Sequence, residues 1–162
     1  MSQTTAPAIN MANAFAGLIA ESYQPKDIVS RINVAAAMKI GYLASLDSGN
    51  GDDAVKAPAA STDVTDTPSG FIAHTHALES SETGDPQFPV KSALNIMRKG
   101  RIWVPVEDAV TVGAGVYVRF QNGSEGLCRS DADAGNAALL PSAKFVTSTT
   151  GAGLAMVEIN LP

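Results

Sequence analysis

The chain has 162 residues with a formal charge of −5, and its 45% hydrophobic content is drawn largely from alanine, with only 6% aromatics. A chain of this length can bury roughly 68–70% of its unfolded surface, so one domain with its own core is expected without staples. The acidic balance argues against a nucleic-acid partner, which calls for a basic patch to neutralise phosphates.

Residues 1–30 are expected to form an N-terminal arm or short helix. Met11, Phe15, Leu18 and Ile19 fall at i, i+4, i+7 and i+8, one apolar helical face. Gly17 interrupts that face, and Gln24-Pro25 would end a helix. An extended arm docking on a neighbour accounts for the same residues. The charged n-region and long apolar run of a secretion signal are not found here, and no stretch approaches the ~20 apolar residues of a membrane span. A soluble protein made in a cytoplasm, with no membrane partner, is therefore expected.

Residues 31–162 are expected to form a β-rich domain. "INVAAAMKIGYLASLDSGNGDD" is open between helix and strand, with Gly41 and "DSGNGDD" marking a turn. Residues 47–70 are rich in Ser, Thr, Asp, Gly and Pro and are expected to be an exposed polar loop. In "GFIAHTHALES" a strand would place Phe71, Ala73 and Thr75 on one face and Ile72, His74 and His76 on the other.

From residue 94 onward the β signal is continuous. Ile102, Val104 and Val106 alternate with Arg101, Trp103 and Pro105. Pro105 cannot donate to a ladder, so this strand is an edge or ends nearby. Val116, Val118 and Phe120 alternate with Tyr117 and Arg119, and Asn122-Gly123 is a hairpin signal leading to "EGLCRS". "SDADAGNAALLPSA" reads as a connection, "KFVTST" as a strand. In the final strand Ala155, Val157, Ile159 and Leu161 are apolar on one face. The expected fold class is mainly β: a small antiparallel β-sandwich, jelly roll or barrel with an N-terminal arm.

Chemistry is sparse. His74 and His76 could face one metal, with Glu79, Glu82 or Asp85 as further ligands, but nothing specifies the third position. "DADAG" at 131–135 lacks the closing Glu of a calcium loop and reads as a turn. "VGAGVY" does not supply G-x-G-x-x-G before a helix, and no G-x-S-x-G elbow occurs. Cys128 is the sole cysteine, a small apolar filler. No catalytic residue, metal or cofactor is expected. Acids crowd residues 46–90 while Lys91, Arg98, Lys99, Arg101 and Arg119 follow, a separation that suits complementary subunit faces or an unevenly charged surface. Trp103, beside Arg101 and opposite the valines, is either an interface anchor or a half-buried core residue.

"MRKGRIWVPVEDAVTVGAGVYVRFQNG" followed by "AKFVTSTTGAGLAMVEINLP" resembles the cement (decoration) proteins of tailed-bacteriophage capsids. Gly100, Val110-Thr111, Gly113 or Gly115, Val116-Tyr117 and Leu154 to Leu161 carry the likeness. "FAGLIAES" with "RINVAAAMKIGYLAS" is similar to the family's N-terminal part. The polar stretch at 47–70 and "HTH" depart from it. The resemblance implies a β-rich, non-enzymatic homodimer or homotrimer on the capsid exterior of a virion, clamping neighbouring major capsid subunits. It also implies an extended arm rather than a helix. The contact residues expected on that basis are Phe15, Leu18 and Ile19 in the arm, and Arg101, Trp103 and Tyr117 on the outer strand face. A head-joining, tail or spike protein is the alternative.

Overall fold

The structure is a computed structural model and describes residues 14–20, 26–75 and 87–162. Its elements, in chain order, are β1 (Asp27–Asn33), β2 (Met38–Lys39), β3 (Leu43–Leu46), β4 (Ala54–Lys56), helix α1 (Ser61–Thr65), β5 (Pro68–Ile72), β6 (Gln87–Phe88), β7 (Ala93–Val106), β8 (Gly115–Arg119), β9 (Cys128–Arg129), β10 (Ala137–Phe145) and β11 (Gly153–Asn160). The mainly β class expected from the sequence holds, and among the open alternatives the form is a barrel.

The 14-residue β7 organises everything else. Its C-terminal part joins β11, β10, β8 and β9 in a five-stranded barrel, closed where Val106 pairs with Cys128. Its N-terminal part belongs to a second circuit, running through β5, β3, β4 and β1 and back to β7. β2 and β6 form a separate ribbon in which Met38 faces Phe88.

Period-two patterning explains the two cores. Ile102, Val104 and Val106 point into the barrel with Val116, Val118, Phe145, Ala155, Val157 and Ile159, all buried. Upstream, Leu94 and Ile96 turn to a smaller cluster with Ile72, Ala44 and Val55. The face split anticipated for the "GFIAH" strand is visible here: Phe71 and Ala73 join the barrel cluster while Ile72 joins the other. The strand ends at Ile72, and His74 is exposed.

Three readings differ from the structure. Residues 47–70, expected as a polar loop, contain β4, α1 and the start of β5. Their few apolar side chains are well used, since Val55 and Val64 are fully buried. Asp63 substitutes for the missing bulk: its carboxylate accepts the Ala59 and Ala60 N–H groups at 2.8 and 3.1 Å and lies 3.4 Å from Lys56, while its carbonyl accepts the Ser45 hydroxyl. Residues 137–143, read as part of a connection, join Lys144 and Phe145 in β10, because the ladder shifts register between Leu139 and Lys144 and so accommodates Pro141, with Ser142 at φ 58°. Finally, β1 starts at Asp27, inside the stretch expected to be an arm.

The β8–β9 return anticipated around Asn122-Gly123 is present, but as a longer loop over 120–127 in which Asn122, Gly123 and Ser124 all have positive φ (68°, 78° and 62°). The returning strand keeps only Cys128 and Arg129.

Candidate interface site

Residues 14–20 are extended apart from a single turn, in which the Leu18 N–H bonds the Phe15 carbonyl at 3.1 Å. The helix favoured by periodicity is not formed at these residues; Met11 lies outside the described residues. A glycine costs a helix roughly 1 kcal/mol relative to alanine. Here Gly17 also has φ +75°, and a Cβ on it would lie 2.3 Å from Ile40 Cγ2 and 2.6 Å from the His74 nitrogen. Gly41 makes the matching concession, for its own Cβ would meet Pro105, Ala16 and the Gly17 nitrogen within 3.2 Å.

This strap lies along β7. Gly17 N–H donates to the Trp103 carbonyl at 2.8 Å, Trp103 N–H to Leu18 at 2.9 Å, and Ala20 N–H to Arg101 at 2.9 Å; Ile19 faces Ile102. β5 and β11 line one edge of β7, and β1, the strap and β9 follow one another along the other. The strap therefore fills the gap between β1 and β9. It also explains how Pro105 is tolerated. Trp103 sends its N–H to the strap edge, so the nitrogen of Pro105, two residues on, faces the same edge just past the strap's end, where no ladder donor is required.

Of the expected contact residues, the structure brings four together: Leu18 and Ile19 lie along β7 beside Arg101 and Trp103, while Phe15 lies apart near His74 and Pro105. Phe15 is 47% exposed and meets His74 edge-on, with ring centroids 4.8 Å apart. It borders an open cavity of about 360 Å³ with Lys39, Ile40, Tyr42, His74 and Pro105. Leu18 is half-buried, and Ile19 packs on the barrel core of its own chain. Trp103 is half-buried, facing outward opposite Met156 of β11. Arg101 faces Glu158 across the β7–β11 ladder at 2.8 Å. Tyr117 stands apart on β8, opposite Leu139 and Arg129.

The basic run is largely neutralised within the chain. Arg98 lies 3.5 Å from Asp27, and Glu158 joins Arg101 to Lys144. Both cations hold the Glu158 carboxyl below its ordinary range, the Arg101 hydrogen bond most strongly. At the β8–β9 end, Glu107 bridges Arg119, at 2.6 Å, and Arg129, while Asp133 joins both arginines at 2.8 and 3.2 Å. The hydrogen bond that Arg119 donates to the Glu107 carboxylate is the main reason Arg119 is raised further above its already high value. "DADAG" is thus a turn whose acids pair with arginines. Among the described residues no group of three metal-capable side chains converges; His76, Glu79, Glu82 and Asp85 lie outside those residues.

Sequence reasoning missed two features. The seating of Gly17 against Gly41 had only the interrupting glycine as a signal. The outward alternation of Ile28, Ser30 and Ile32 in β1 was legible as period two but straddled the boundary between the stretch treated as an arm and the segment, from Ile32, left open between helix and strand.

Fold and surface together define a double-circuit β protein whose prominent features are strand edges, ion pairs and exposed apolar side chains. Over residues 3–160 the sequence matches the family described as structural cement protein (E217 gp24/Pam3 gp6), and the chain belongs to that family. No curated protein matches the sequence. Among solved structures the chain is similar to one from the capsid of Myoviridae phage XM1, with a TM-score of 0.72, 16% identity, and coverage of 99% of this chain and 97% of that one. That likeness shows a shared fold. It is also similar to the head fiber gp8.5 N base of bacteriophage phi29, with a TM-score of 0.48, 12% identity, and coverage of 83% and 94%.

Proposed function

We propose that the protein is a non-enzymatic cement on the exterior of a phage head, binding the major capsid protein and bridging neighbouring subunits against internal genome pressure. The observation that carries this reading is family membership across residues 3–160. The closed ladders around β7 support it, since a bridging element must hold its shape while its contacts are strained. Each copy needs only a modest contact, because copies repeating on a lattice gain from effective concentration. Contact falls to the exposed Phe15 with Leu18 and Ile19 along the strap, and to Arg101, Trp103 and Tyr117 on the outer strand faces. Copies of the chain also associate with one another as dimers or trimers. At −5, the chain makes no direct contact with nucleic acid.

Co-sedimentation with expanded heads lacking the protein, against unexpanded heads, tests this. Saturable binding to expanded heads is expected, at a stoichiometry that counts copies per shell. Binding to neither overturns the reading, and closed rings formed without any shell would point to a head-joining component instead.

A further inference from the structure

The second circuit has an open edge. β7 pairs with β1 from Asp27 to Ile32, whereas β4 reaches only Ile32 and Asn33. Hydrogen-bond direction fixes which groups that edge carries. Ile32 N–H points away from β7 to the Asp53 carbonyl at 2.8 Å, and Asn33 N–H points back to the Ser92 carbonyl at 3.0 Å. Strand residues alternate in this respect. Ile28 and Ser30 therefore aim their N–H and C=O groups away from β7, where no ladder among the described residues reaches them. The side chains there are apolar and uncovered, with Ile28 43% and Ile32 48% exposed. Such an edge is a template for another strand unless proline, lysine or a bulge blunts it; "DIVSRIN" has neither proline nor lysine, and its register irregularity falls at the Asp27/Ile28 end, leaving Ile28 to Ile32 in regular pairing.

We propose that this edge pairs with β1 of a second copy, antiparallel, about a two-fold axis through Val29. Two constraints set the register. Ile32 is already bonded to Asp53, so the shared ladder must stop short of it, and only Ile28 and Ser30 face outward. Pairing Ile28 with Ser30 of the second copy, and the reverse, uses every free group in two pairs of backbone hydrogen bonds. The same register sets Asp27 opposite Arg31 of the second copy, once on each side of the axis, so opposite charges meet where cross-strand neighbours touch. Within one copy Arg31 Nη1 bonds Asp53 at 2.8 Å and Asp27 lies 3.5 Å from Arg98, so the shared contact would give each side chain a second partner of opposite charge. A register centred on Ser30 would require Ile28 to pair with the occupied Ile32. One centred on Ile28 would leave Arg31 without an acid. The edge is thus self-complementary, as an isologous contact must be.

The pairing deepens the self-association within the cement reading, yet it is tested on the purified chain alone. Val29 would lie opposite itself in a non-hydrogen-bonded pair, with Cα atoms about 4.5 Å apart, inside the span of a disulfide. Val29→Cys should cross-link into a dimer on mild oxidation, several-fold more completely than Ser30→Cys. Cys128 is buried and adds no background. In sedimentation equilibrium Asp27→Arg should weaken dimerisation at least tenfold, and Asp27→Arg with Arg31→Asp should restore it, with thermal melts reporting that each variant is folded. A wild-type chain that is monomeric at every concentration, or an uncross-linked Val29→Cys, overturns the proposal. So does a monomer that binds heads but loses binding on Ser30→Pro, which would give the edge to a strand of the capsid protein. Dimers that fail to bind heads would uphold the pairing and overturn the cement reading instead.

Discussion

Gly17→Ala tests whether the strap is an integral strand of the fold. The new methyl group would sit 2.3 Å from Ile40 Cγ2, 2.6 Å from the His74 nitrogen and 3.0 Å from the Ile72 carbonyl. Ile40 can swing aside, but the two backbone atoms cannot. The φ of +75° adds about 1–2 kcal/mol for any L-residue. Relief comes from undocking, which gives up the Gly17–Trp103, Trp103–Leu18, Ala20–Arg101 and His74–Gly17 backbone bonds, all 2.8–2.9 Å. At about 1 kcal/mol net for each, and with some of Ile19 released to water, the loss is about 4–5 kcal/mol. For a chain of this size that corresponds to a fall in Tm of about 8–20 °C. Gly113→Ala is the control, since Gly113 has φ +82° but nothing within 4 Å, so it costs backbone strain alone. Urea denaturation followed by the fluorescence of Trp103, the single tryptophan, gives the difference. Hydrogen exchange at the Trp103 amide, which donates to Leu18, reports the strap directly. If Gly17→Ala costs no more than Gly113→Ala and the Trp103 amide stays protected, the strap is not held as described.

Acid should weaken the outer β7–β11 contact. The Glu158 carboxyl is depressed by Arg101 and Lys144, so its stabilisation is complete above the unfolded glutamate value of about 4.3 and is lost as pH falls through the lower folded value. Glu158→Gln should flatten that part of the stability–pH curve measured by denaturation between neutral and strongly acidic pH; an unchanged slope would refute it. Burial, with the charge of Glu107 adding to it, pushes the Cys128 thiol well above its ordinary value. Native protein at mildly alkaline pH should therefore resist thiol-specific reagents, and labelling should follow unfolding. Rapid labelling of the native chain would contradict the burial at β9.

Much of the barrel was legible because its residues face two simple environments. From Arg101 to Val106, and again in β8 and β11, alternation separates core from surface, and that pattern survives without knowledge of partners. Phe71 and Ile72 were assigned to opposite faces in the same way, although both faces prove to be buried, in different clusters. Residues 47–70 were misjudged because composition counts bulk, whereas Asp63 orders the segment through hydrogen bonds to Ala59 and Ala60. The strap was ambiguous for a related reason. Its i, i+4 spacing is helical, but Gly17 is required by contacts with Ile40 and His74, far along the chain. Periodicity in Phe15, Leu18 and Ile19 therefore suggested a helix, whereas residues 14–20 run extended beside β7.

The long strand gives these separate features one mechanical meaning. A five-stranded barrel alone would leave the upstream half of β7 as a free ribbon, and the second circuit alone would have too small a core to stand firmly. Sharing β7 lets displacement of either circuit be resisted by both, through ladders on both edges. The strap occupies the stretch, opposite Arg101 to Trp103, that β1 and β9 leave uncovered. Once it is seated, the conspicuous open backbone on the described surface is no longer on β7 but on β1, at Ile28 and Ser30. Under the proposed cement role, strain entering through Phe15 or Trp103 reaches the barrel core directly, while contacts between copies form on the other circuit. Weakening the β1 edge should therefore alter association and leave the barrel's stability unchanged, whereas Gly17→Ala should do the reverse.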